Sequence, residues 1–252
     1  MIVLSSCHPR WLVNSYLVAD EPGGSAILID GGAPMEPILE GVERHSLRPT
    51  ELLVTHRHPD HIEHLGAYRE RLGLVVCGHG LEAESCGGFD RLLDDREVLR
   101  TGDLEVEVLH VPGHTAGHLA YLVNGQVLFS GDTLFRGSVG GTRGSGHTCF
   151  EDLRHSVVEV LLGLPPETVI FPGHCDSTTV ERERFENPFV RAWRTGRGGA
   201  GVPCQAHGEA ASLLLRAPDY DGGTKCWVRF ETSGSLDIVA GSRVEVAGEE
   251  PS

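Results

Sequence analysis

The stretch LLVTHRHPDH, residues 52–61, connects an apolar segment to a cluster of metal-binding side chains. The run of Leu and Val predicts a β-strand, and the proline near the end of the stretch favours a turn directly after it. Four potential ligands follow the strand: His56, His58, Asp60 and His61. Since imidazole and carboxylate groups are ligands that zinc takes, the stretch predicts a metal site at the end of a strand.

Three later apolar runs also stop at a potential metal ligand. They are HVPGH, which ends at His114, VLFSGD, which ends at Asp132, and VIFPGH, which ends at His174. Strands deliver side chains to a shared edge with little positional scatter, and histidines placed at random would not recur at strand ends. Together with the four residues of the first stretch, they predict a site for two metal ions.

The composition of the 252 residues is that of an ordinary soluble globular protein, with 40% apolar and 23% charged residues. No segment approaches the roughly 18 to 20 consecutive apolar residues that span a bilayer, and the N-terminal segment does not resemble a secretion signal. The seven cysteines include no CxxC pair, which argues against a disulfide framework. We expect a cytoplasmic protein without a membrane partner.

The net charge of −15 disfavours a nucleic-acid partner, because binding to a phosphate backbone normally requires a basic surface. A small-molecule substrate is the partner that we expect instead. The sequence leaves the oligomeric state open, and a homo-oligomer is one of the options.

Strand signals recur through the first part of the chain. Residues 11–20 and 25–32 predict a hairpin, and residues 104–111 alternate apolar and acidic side chains, as in a strand with one wet face. Asn124 and Gly125 predict a two-residue hairpin turn between two further strands.

Helix signals lie between and after these strands. Helices are predicted at 37–45, at 61–73 and from Cys149 to Leu162. For the last of these, Thr148 and Glu151 form the T-x-x-E pattern of a capping box. Helices are thus available for both faces of the strand set, which indicates two packed sheets covered by helices.

A change in composition separates this part of the chain from its end. The segment TGRGGAGV, residues 195–202, is rich in glycine and predicts a linker. We therefore predict a catalytic domain at 1–194 and a small β-rich domain at 203–247. At roughly 45 residues, the second domain needs the first domain or a partner for its stability.

The four motifs resemble those of the metallo-β-lactamase superfamily, over roughly residues 10–194. The HxHxDH block is followed, in the order of the family, by PGHTAGH, SGDTLF and FPGH. The resemblance implies an α+β fold, an αββα sandwich with two metals at one edge. It also implies how the ligands divide: His56, His58 and His114 for the first metal, Asp60, His61 and His174 for the second, and Asp132 as the bridge.

Within the superfamily, the segments THRHPDH, GDTLFRGSVGGT and PGHCDSTTVERERFENPFV are similar to those of glyoxalase II-like hydrolases. These enzymes act on thioesters, so the implied substrate is a small molecule such as a thiol conjugate. The implied cofactor is Zn²⁺, two ions per chain, and zinc lowers the pKa of bound water to about 7. A metal-bridging hydroxide would attack the thioester carbonyl, with Asp60, His61 and Asp132 as the catalytic residues.

Two parts of the chain depart from the glyoxalase II pattern. The loop GGTRGSGHTCF, residues 140–150, lacks the Arg-Thr-Asp run expected there, and residues 195–252 are β-rich where glyoxalase II carries helices that help to bind glutathione. We expect these two parts to select the substrate. Three residues on or near the loop are candidates for substrate binding: Arg136, Arg143 and His147.

Several further residues have both a structural and a functional interpretation. Asp30 either forms a turn before glycine or accepts a hydrogen bond from a ligand histidine, with the turn as the default. His110 and His118 are expected to pack or to support ligands rather than to bind metal, and Thr55 is interpreted as structural. Three aromatic residues of the tail are interpreted as a small core: Tyr220, Trp227 and Phe230.

Two other functions stay open on the same scaffold. A mononuclear iron persulfide dioxygenase shares the framework and would use Fe²⁺, because two histidines and one aspartate form the facial triad of iron-dependent oxygen chemistry. A metal-dependent lyase or cyclase of a specialised biosynthetic route is the other option, because a fold does not determine a function. The β-rich tail leaves room for the latter.

Overall fold

The computed structural model describes residues 1–196 and 201–247, and two six-stranded β-sheets face each other at its centre. The strands of the first sheet are β1 (Ile2–Cys7), β2 (Asn14–Ala19), β3 (Ser25–Ile29), β4 (Arg48–Leu53), β5 (Val75–Gly78) and β6 (Arg91–Leu92). They lie in chain order, antiparallel from β1 to β3 and parallel from β3 to β6. All residues of β2 are buried, as expected for a strand that is covered on both faces.

The next strands along the chain are β7 (Val98–Thr101), β8 (Leu104–His110), β9 (Leu119–Val123), β10 (Val127–Gly131), β11 (Leu134–Phe135), β12 (Ser138–Val139), β13 (Val169–Pro172) and β14 (Thr178–Thr179). The second sheet has the order β14-β13-β10-β9-β8-β7, and β11 pairs with β12 in a separate ribbon. Asn124 and Gly125 both adopt positive φ between β9 and β10, which confirms the predicted hairpin turn.

Helices cover the outer faces of the two sheets. They are α1 (Glu36–Arg44), α2 (Pro59–Ile62), α3 (Leu65–Leu72), α4 (Phe150–His155), α5 (Val180–Glu186) and α6 (Pro188–Thr195). Ile38 and Tyr68 pack on the outside of the first sheet, while Phe150 and Trp193 pack on the outside of the second. A third apolar layer, which includes Tyr121, lies between the sheets. The arrangement is the predicted αββα sandwich of the α+β class.

The helix predicted at 61–73 is divided into α2 and α3 at Glu63 and His64, so the prediction of one helix is wrong. The reason is a pair of backbone hydrogen bonds to the end of β3. The Gly31 amide donates to the His61 carbonyl, and the His64 amide donates to the Gly31 carbonyl, both at 2.8 Å. These groups are therefore not available to continue the helix, and the turn that carries Asp60 and His61 is fastened to the first sheet.

The capping box predicted at Thr148 and Glu151 is also wrong. The N-cap of α4 is Cys149, no side chain caps the helix, and the Thr148 hydroxyl is buried without a partner. The helix does continue toward Leu162, but it widens to a π-helix over Ser156–Val160 and then tightens to a 3₁₀ turn. The Thr148 amide donates to the Gly113 carbonyl, which places the residue in the loop that precedes the helix.

The C-terminal segment forms a five-stranded antiparallel sheet, as the β-rich prediction requires. Its strands are β15 (Val202–Ala206), β16 (Glu209–Pro218), β17 (Thr224–Phe230), β18 (Leu236–Ala240) and β19 (Val244–Val246), in the order β18-β17-β16-β15-β19. One face contributes Trp227 and Ile238 to the core around Phe150, and the other face has a core of its own that includes Phe230. Trp227 therefore belongs to a shared core and not to a separate one.

The predicted linker at 195–202 falls between α6 and β15, and its residues 197–200 lie outside the described residues. The division into domains at 1–194 and 203–247 stays a prediction. None of the seven cysteines forms a disulfide. Within the described ranges, the structure has no helix with the length and apolar character needed to cross a membrane.

Candidate metal centre

The seven candidate ligands meet at one edge of the sandwich, although they come from five separate places in the chain. His56 and His58 follow β4, and Asp60 and His61 lie in the short helix α2. The other three come from the second half of the sandwich, His114 between β8 and β9, Asp132 after β10 and His174 after β13. The two sheets thus bring together residues that are up to 118 positions apart, from His56 to His174.

The first group of ligands consists of His56, His58 and His114. The Nε2 atom of His56 lies 3.0 Å from the Nδ1 atom of His58, and that Nδ1 atom lies 2.9 Å from Nε2 of His114. Three ring nitrogens therefore converge on one point. These are the three histidines that the family resemblance assigns to the first metal, and their role as ligands stays a prediction.

The second group consists of Asp60, His61 and His174. The Nε2 atom of His174 lies 3.5 Å from the Asp60 carboxylate, and Nε2 of His61 lies 3.9 Å from the same carboxylate. His61 and His174 are buried, while the Asp60 side chain is 27% exposed. Asp60 is therefore the member of this group that a bound substrate or solvent can reach.

Asp132 lies between the two groups. Its carboxylate is 3.6 Å from Nε2 of His114, and it is 3.3 Å from Nε2 of both His61 and His174. Ligands at about 2.1 Å from a tetrahedral zinc ion are separated by about 3.4 Å, so these spacings are those of a metal coordination shell. The role of Asp132 as the bridge between two metals stays a prediction.

Buried polar atoms without partners support the same interpretation. Nε2 of His61 and Oδ1 of Asp132 have no hydrogen-bond partner although both are buried. Such atoms are costly unless a partner is present, and here they face each other across the site. The donor set of imidazole and carboxylate groups fits zinc or iron, so the residues present fit a pair of divalent cations.

Hydrogen bonds on the far side of each ring orient the candidate ligands. Nε2 of His58 is 3.0 Å from the Ser145 carbonyl, and Nδ1 of His114 is 2.8 Å from the Gly141 carbonyl. Each carbonyl accepts a hydrogen bond from the N–H of the ring nitrogen that faces away from the site. The opposite nitrogen then keeps its lone pair for a metal, and the loop 140–147 determines the orientation of both rings.

Asp30 plays the same part for the second group. Its carboxylate accepts a hydrogen bond from Nδ1 of His61 at 2.7 Å, and from the Thr55 amide and hydroxyl at 2.7 and 2.8 Å. The default interpretation of Asp30 as a turn residue was therefore incomplete, although its φ of 55° does place it in a turn. Thr55 also contacts Nδ1 of His56 at 3.0 Å, so it links ligands of both groups.

His118 supports the site without belonging to either group, as predicted. Its ring stacks on His56 at 4.8 Å, and its Nε2 atom accepts a hydrogen bond from the Asp132 amide at 3.0 Å. Burial lowers the pKa of His118 to about 3, so the ring stays neutral and can accept that bond. Gly131 permits this packing, because its φ is 49° and an added Cβ would lie 2.6 Å from the His118 ring.

The electrostatics of the site keep two of the candidate ligand histidines in the neutral form that binds a metal. Burial lowers the pKa of His56 well below its ordinary value and lowers the pKa of His114 to about 3, so both rings are neutral at pH 7. His61 differs, because the charges of Asp132 and Asp30 outweigh the effect of burial and raise its pKa. A histidine binds a metal only in its neutral form, so metal binding at His61 has to release a proton.

Glu82 supports the site from outside and was not identified from the sequence. It is buried, and it accepts hydrogen bonds from Nε of Arg57 at 2.6 Å and from the Gly117 amide at 2.6 Å. Arg57 lies between two candidate ligands, and Gly117 lies in the PGHTAGH loop. A glutamate in the irregular segment GLEAES has no sequence signal that indicates this contact.

The three residues predicted to bind substrate are not in contact with the ligand groups, and their role in binding stays a prediction. Arg136 pairs with Asp176 at 3.1 Å, and His147 is exposed on its loop. Arg143 turns toward the C-terminal sheet, where it pairs with Asp237 at 3.0 Å and lies 4.2 Å from the centre of the Phe230 ring. It fastens the loop 140–147 to that sheet.

The interpretation of Tyr220 as part of a small core in the tail is wrong, because its ring packs on a candidate ligand. It lies in the turn between β16 and β17, and its ring stacks on His174 with 4.2 Å between the centroids and 13° between the planes. Burial raises the pKa of Tyr220, and the charges of Asp132 and Asp60 raise it further. The phenol is therefore within electrostatic range of both carboxylates.

Similarity to known proteins agrees with this geometry. Residues 8–174 match the model of the metallo-beta-lactamase superfamily, and the match ends before the C-terminal sheet. The chain is 38% identical over 162 residues to a hydroxyacylglutathione hydrolase of Chelativorans sp. (strain BNC1), a match that covers 63% of this chain and 60% of that protein. It is 31% identical over 202 residues to the hydroxyacylglutathione hydrolase GloC of Haemophilus influenzae, covering 71% of this chain and 93% of GloC.

Among solved structures, TTHA1623 in a di-iron-bound form is similar, with a TM-score of 0.62 and 34% identity over 74% of this chain and 99% of that one. Shared sequence, shared fold and the order of the motifs lead to the same assignment. The chain therefore belongs to the metallo-β-lactamase superfamily, in which it is glyoxalase II-like.

Proposed function

We propose that the protein is a dinuclear zinc-dependent hydrolase of small thioesters. The observation that supports this most is the pair of ligand groups, His56-His58-His114 and Asp60-His61-His174, with the Asp132 carboxylate between them. Two bound divalent cations would supply Lewis acidity toward a carbonyl oxygen and lower the pKa of bound water. No serine or cysteine nucleophile of the chain is then required.

The residues of the chain hold and orient the reacting groups in this proposal. His56, His58 and His114 would hold the first cation, and Asp132 would contribute its carboxylate to both sites. Nδ1 of His61 pairs with Asp30, and its buried Nε2 atom, which has no protein partner, would bind the second cation, so His61 serves as a ligand rather than as a proton carrier. The partly exposed carboxylate of Asp60 is the group that can take up a proton during the reaction.

A thioester is the substrate class that the relatives favour. The two hydroxyacylglutathione hydrolases described above are named for the hydrolysis of an acylated thiol. The net charge of −15 argues further for a small molecule over a nucleic acid. The thiol half of the substrate need not be glutathione. The C-terminal sheet, which replaces the glutathione-binding helices of glyoxalase II, lies outside the family match.

The test combines metal analysis with a hydrolysis assay. The purified chain should contain about two zinc ions and hydrolyse a thioester series, and Asp132→Ala should lose both metal and activity. Asp103→Ala is the matched control, because Asp103 is exposed in the turn between β7 and β8. A fully metallated chain that hydrolyses no thioester would rule the proposal out.

An iron-dependent dioxygenase acting on a persulfide is the second candidate. Two overlapping sets of candidate ligands offer two histidines and one carboxylate, the donor set of non-haem iron oxygenases. One is the second group, Asp60-His61-His174, and the other combines His56, His61 and Asp132. The similar structure TTHA1623 was obtained in a di-iron-bound form. Oxygen uptake with glutathione persulfide and ferrous iron, without thioester hydrolysis, would favour this candidate over the first.

A further inference from the structure

The C-terminal sheet places one aromatic side chain directly on the metal centre. Tyr220, at the turn between β16 and β17, stacks on the imidazole of His174 at 4.2 Å. It also meets Phe135 edge-on at 5.1 Å. Phe135 and His174 are buried, whereas Tyr220 is partly exposed, so its ring lies between the candidate ligand and the outside.

A buried ion pair holds this turn in position. Nζ of Lys225, the single lysine of the sequence, lies 3.0 Å from the carboxylate of Asp219 and 5.8 Å from the centre of the Tyr220 ring. Asp219 also accepts a hydrogen bond from the Ser138 hydroxyl at 2.8 Å. The turn is thus tied to the β11–β12 ribbon, which follows Asp132 in the chain. A tyrosine held from two sides in this way has a defined orientation.

The hydroxyl of Tyr220 differs from those of two structural tyrosines in the same protein. The hydroxyls of Tyr16 and Tyr121 donate to backbone carbonyls, each at 2.6 Å. Within the residues that the structure describes, no hydrogen bond satisfies the hydroxyl of Tyr220. Tyr220 is only partly buried, and its hydroxyl is not one of the buried polar atoms that lack a partner, so it is open to a molecule that enters the site beside His174.

We propose that Tyr220 is a substrate-contacting residue, and that its phenol donates a hydrogen bond to an oxygen atom of the small molecule bound beside His174. The C-terminal sheet then forms one wall of the active site. The ligand class is a small compound with a carbonyl, carboxylate or hydroxamate oxygen. That this compound is a thioester rests on the proposed function, whereas the contact itself does not.

The experiment compares Tyr220→Phe and Tyr220→Ala with the wild type and with Tyr68→Phe as the control. Tyr68 also has a hydroxyl without a partner, but it is buried outside the first sheet, away from the site. For each zinc-loaded variant, the zinc content and the thermal midpoint are measured first. The dissociation constant of acetohydroxamate is then measured by calorimetry, and kcat/KM is measured for a thioester.

Tyr220→Phe should keep the zinc content and thermal midpoint of the wild type and bind acetohydroxamate about threefold to tenfold more weakly, which is the effect of one neutral hydrogen bond. Its kcat/KM should fall at least as much, and Tyr68→Phe should match the wild type in both measurements. Tyr220→Ala should bind acetohydroxamate more weakly still, because the aromatic ring that forms part of the wall is removed as well.

Wild-type binding of acetohydroxamate by Tyr220→Phe would overturn the inference. Loss of zinc from Tyr220→Phe would also overturn it, because Tyr220 would then only hold the candidate ligand His174 in place. If the wild type hydrolyses no thioester but Tyr220→Phe still weakens acetohydroxamate binding, the proposed function fails and the contact of Tyr220 stands.

Discussion

The αββα sandwich and the C-terminal sheet contribute to the same site in different ways. The sandwich supplies all seven candidate ligands, which lie in the loops that follow strands or in the short helix α2. The C-terminal sheet supplies Tyr220 and Asp237, which approach the site across a tertiary interface. The candidate ligands belong to sequence motifs and lie within the family match. Tyr220 and Asp237 belong to no such motif and lie outside the match. The comparison indicates that the candidate ligands lie in the part of the chain that matches the family, whereas the C-terminal sheet lies outside that match.

Removal of a ligand from the sandwich should have the largest effect. His114→Ala removes one member of the first group, so the chain should hold about one metal instead of two and lose activity about a thousandfold or more. Elemental analysis and the hydrolysis assay measure the two effects. His155→Ala, at an exposed histidine of α4, is the control and should behave as the wild type. Unchanged metal content in His114→Ala would contradict the assignment of the first group.

A substitution in the core that the sandwich shares with the C-terminal sheet should destabilise the protein. Trp227 is buried, and its ring lies 5.6 Å from that of Phe150 in α4, so Trp227→Ala should lower the free energy of unfolding by about 3 to 5 kcal/mol. Denaturant unfolding measures this change. The matched control is Trp11→Ala, because Trp11 is 39% exposed. Equal stabilities of the two variants would mean that the sheet does not depend on the sandwich.

The support of the second group from within the sandwich should matter less than a ligand itself. Asp30→Ala removes the carboxylate that orients His61, so the affinity for zinc should fall by roughly 10-fold to 100-fold. Competition with a chromogenic chelator measures the affinity. Asp30→Asn keeps one acceptor oxygen and should fall between Asp30→Ala and the wild type. An affinity that does not change in either variant would show that Thr55 and the fold alone orient His61.

The anchor of the loop 140–147 on the C-terminal sheet should have the smallest effect. Asp237 accepts hydrogen bonds from the Thr142 hydroxyl at 2.9 Å and from Nε of Arg143 at 3.0 Å. Asp237→Asn should therefore lower the free energy of unfolding by about 1 to 2 kcal/mol, with the zinc content unchanged.

The control for this anchor is Glu209→Gln, since Glu209 is exposed and lies 4.0 Å from Arg143. Its stability should equal that of the wild type. If Asp237→Asn loses zinc as well, the loop is required to keep His114 in place through the Gly141 carbonyl, and the two regions are coupled more tightly than we expect.

Much of the fold could be predicted because its signals are local. The hairpin turn at Asn124 and Gly125 needs two residues with positive φ, and this preference is visible in the residue types. The prediction of a single helix at 61–73 was wrong for the opposite reason, because the signal that divides it is not local. Its interruption at His64 depends on a hydrogen bond to Gly31, which is 33 positions away in the chain.

The amino-acid sequence by itself determined which residues are candidate metal ligands, because they are short polar side chains near the ends of apolar strands. Residue type and strand periodicity are enough to identify them. Only the tertiary structure decided what surrounds the ligands. Glu82 reaches Gly117 across 35 positions, and Asp237 reaches Thr142 across 95. Tyr220 meets His174 through the packing of a whole sheet, and no local pattern encodes a contact that depends on where another sheet comes to rest.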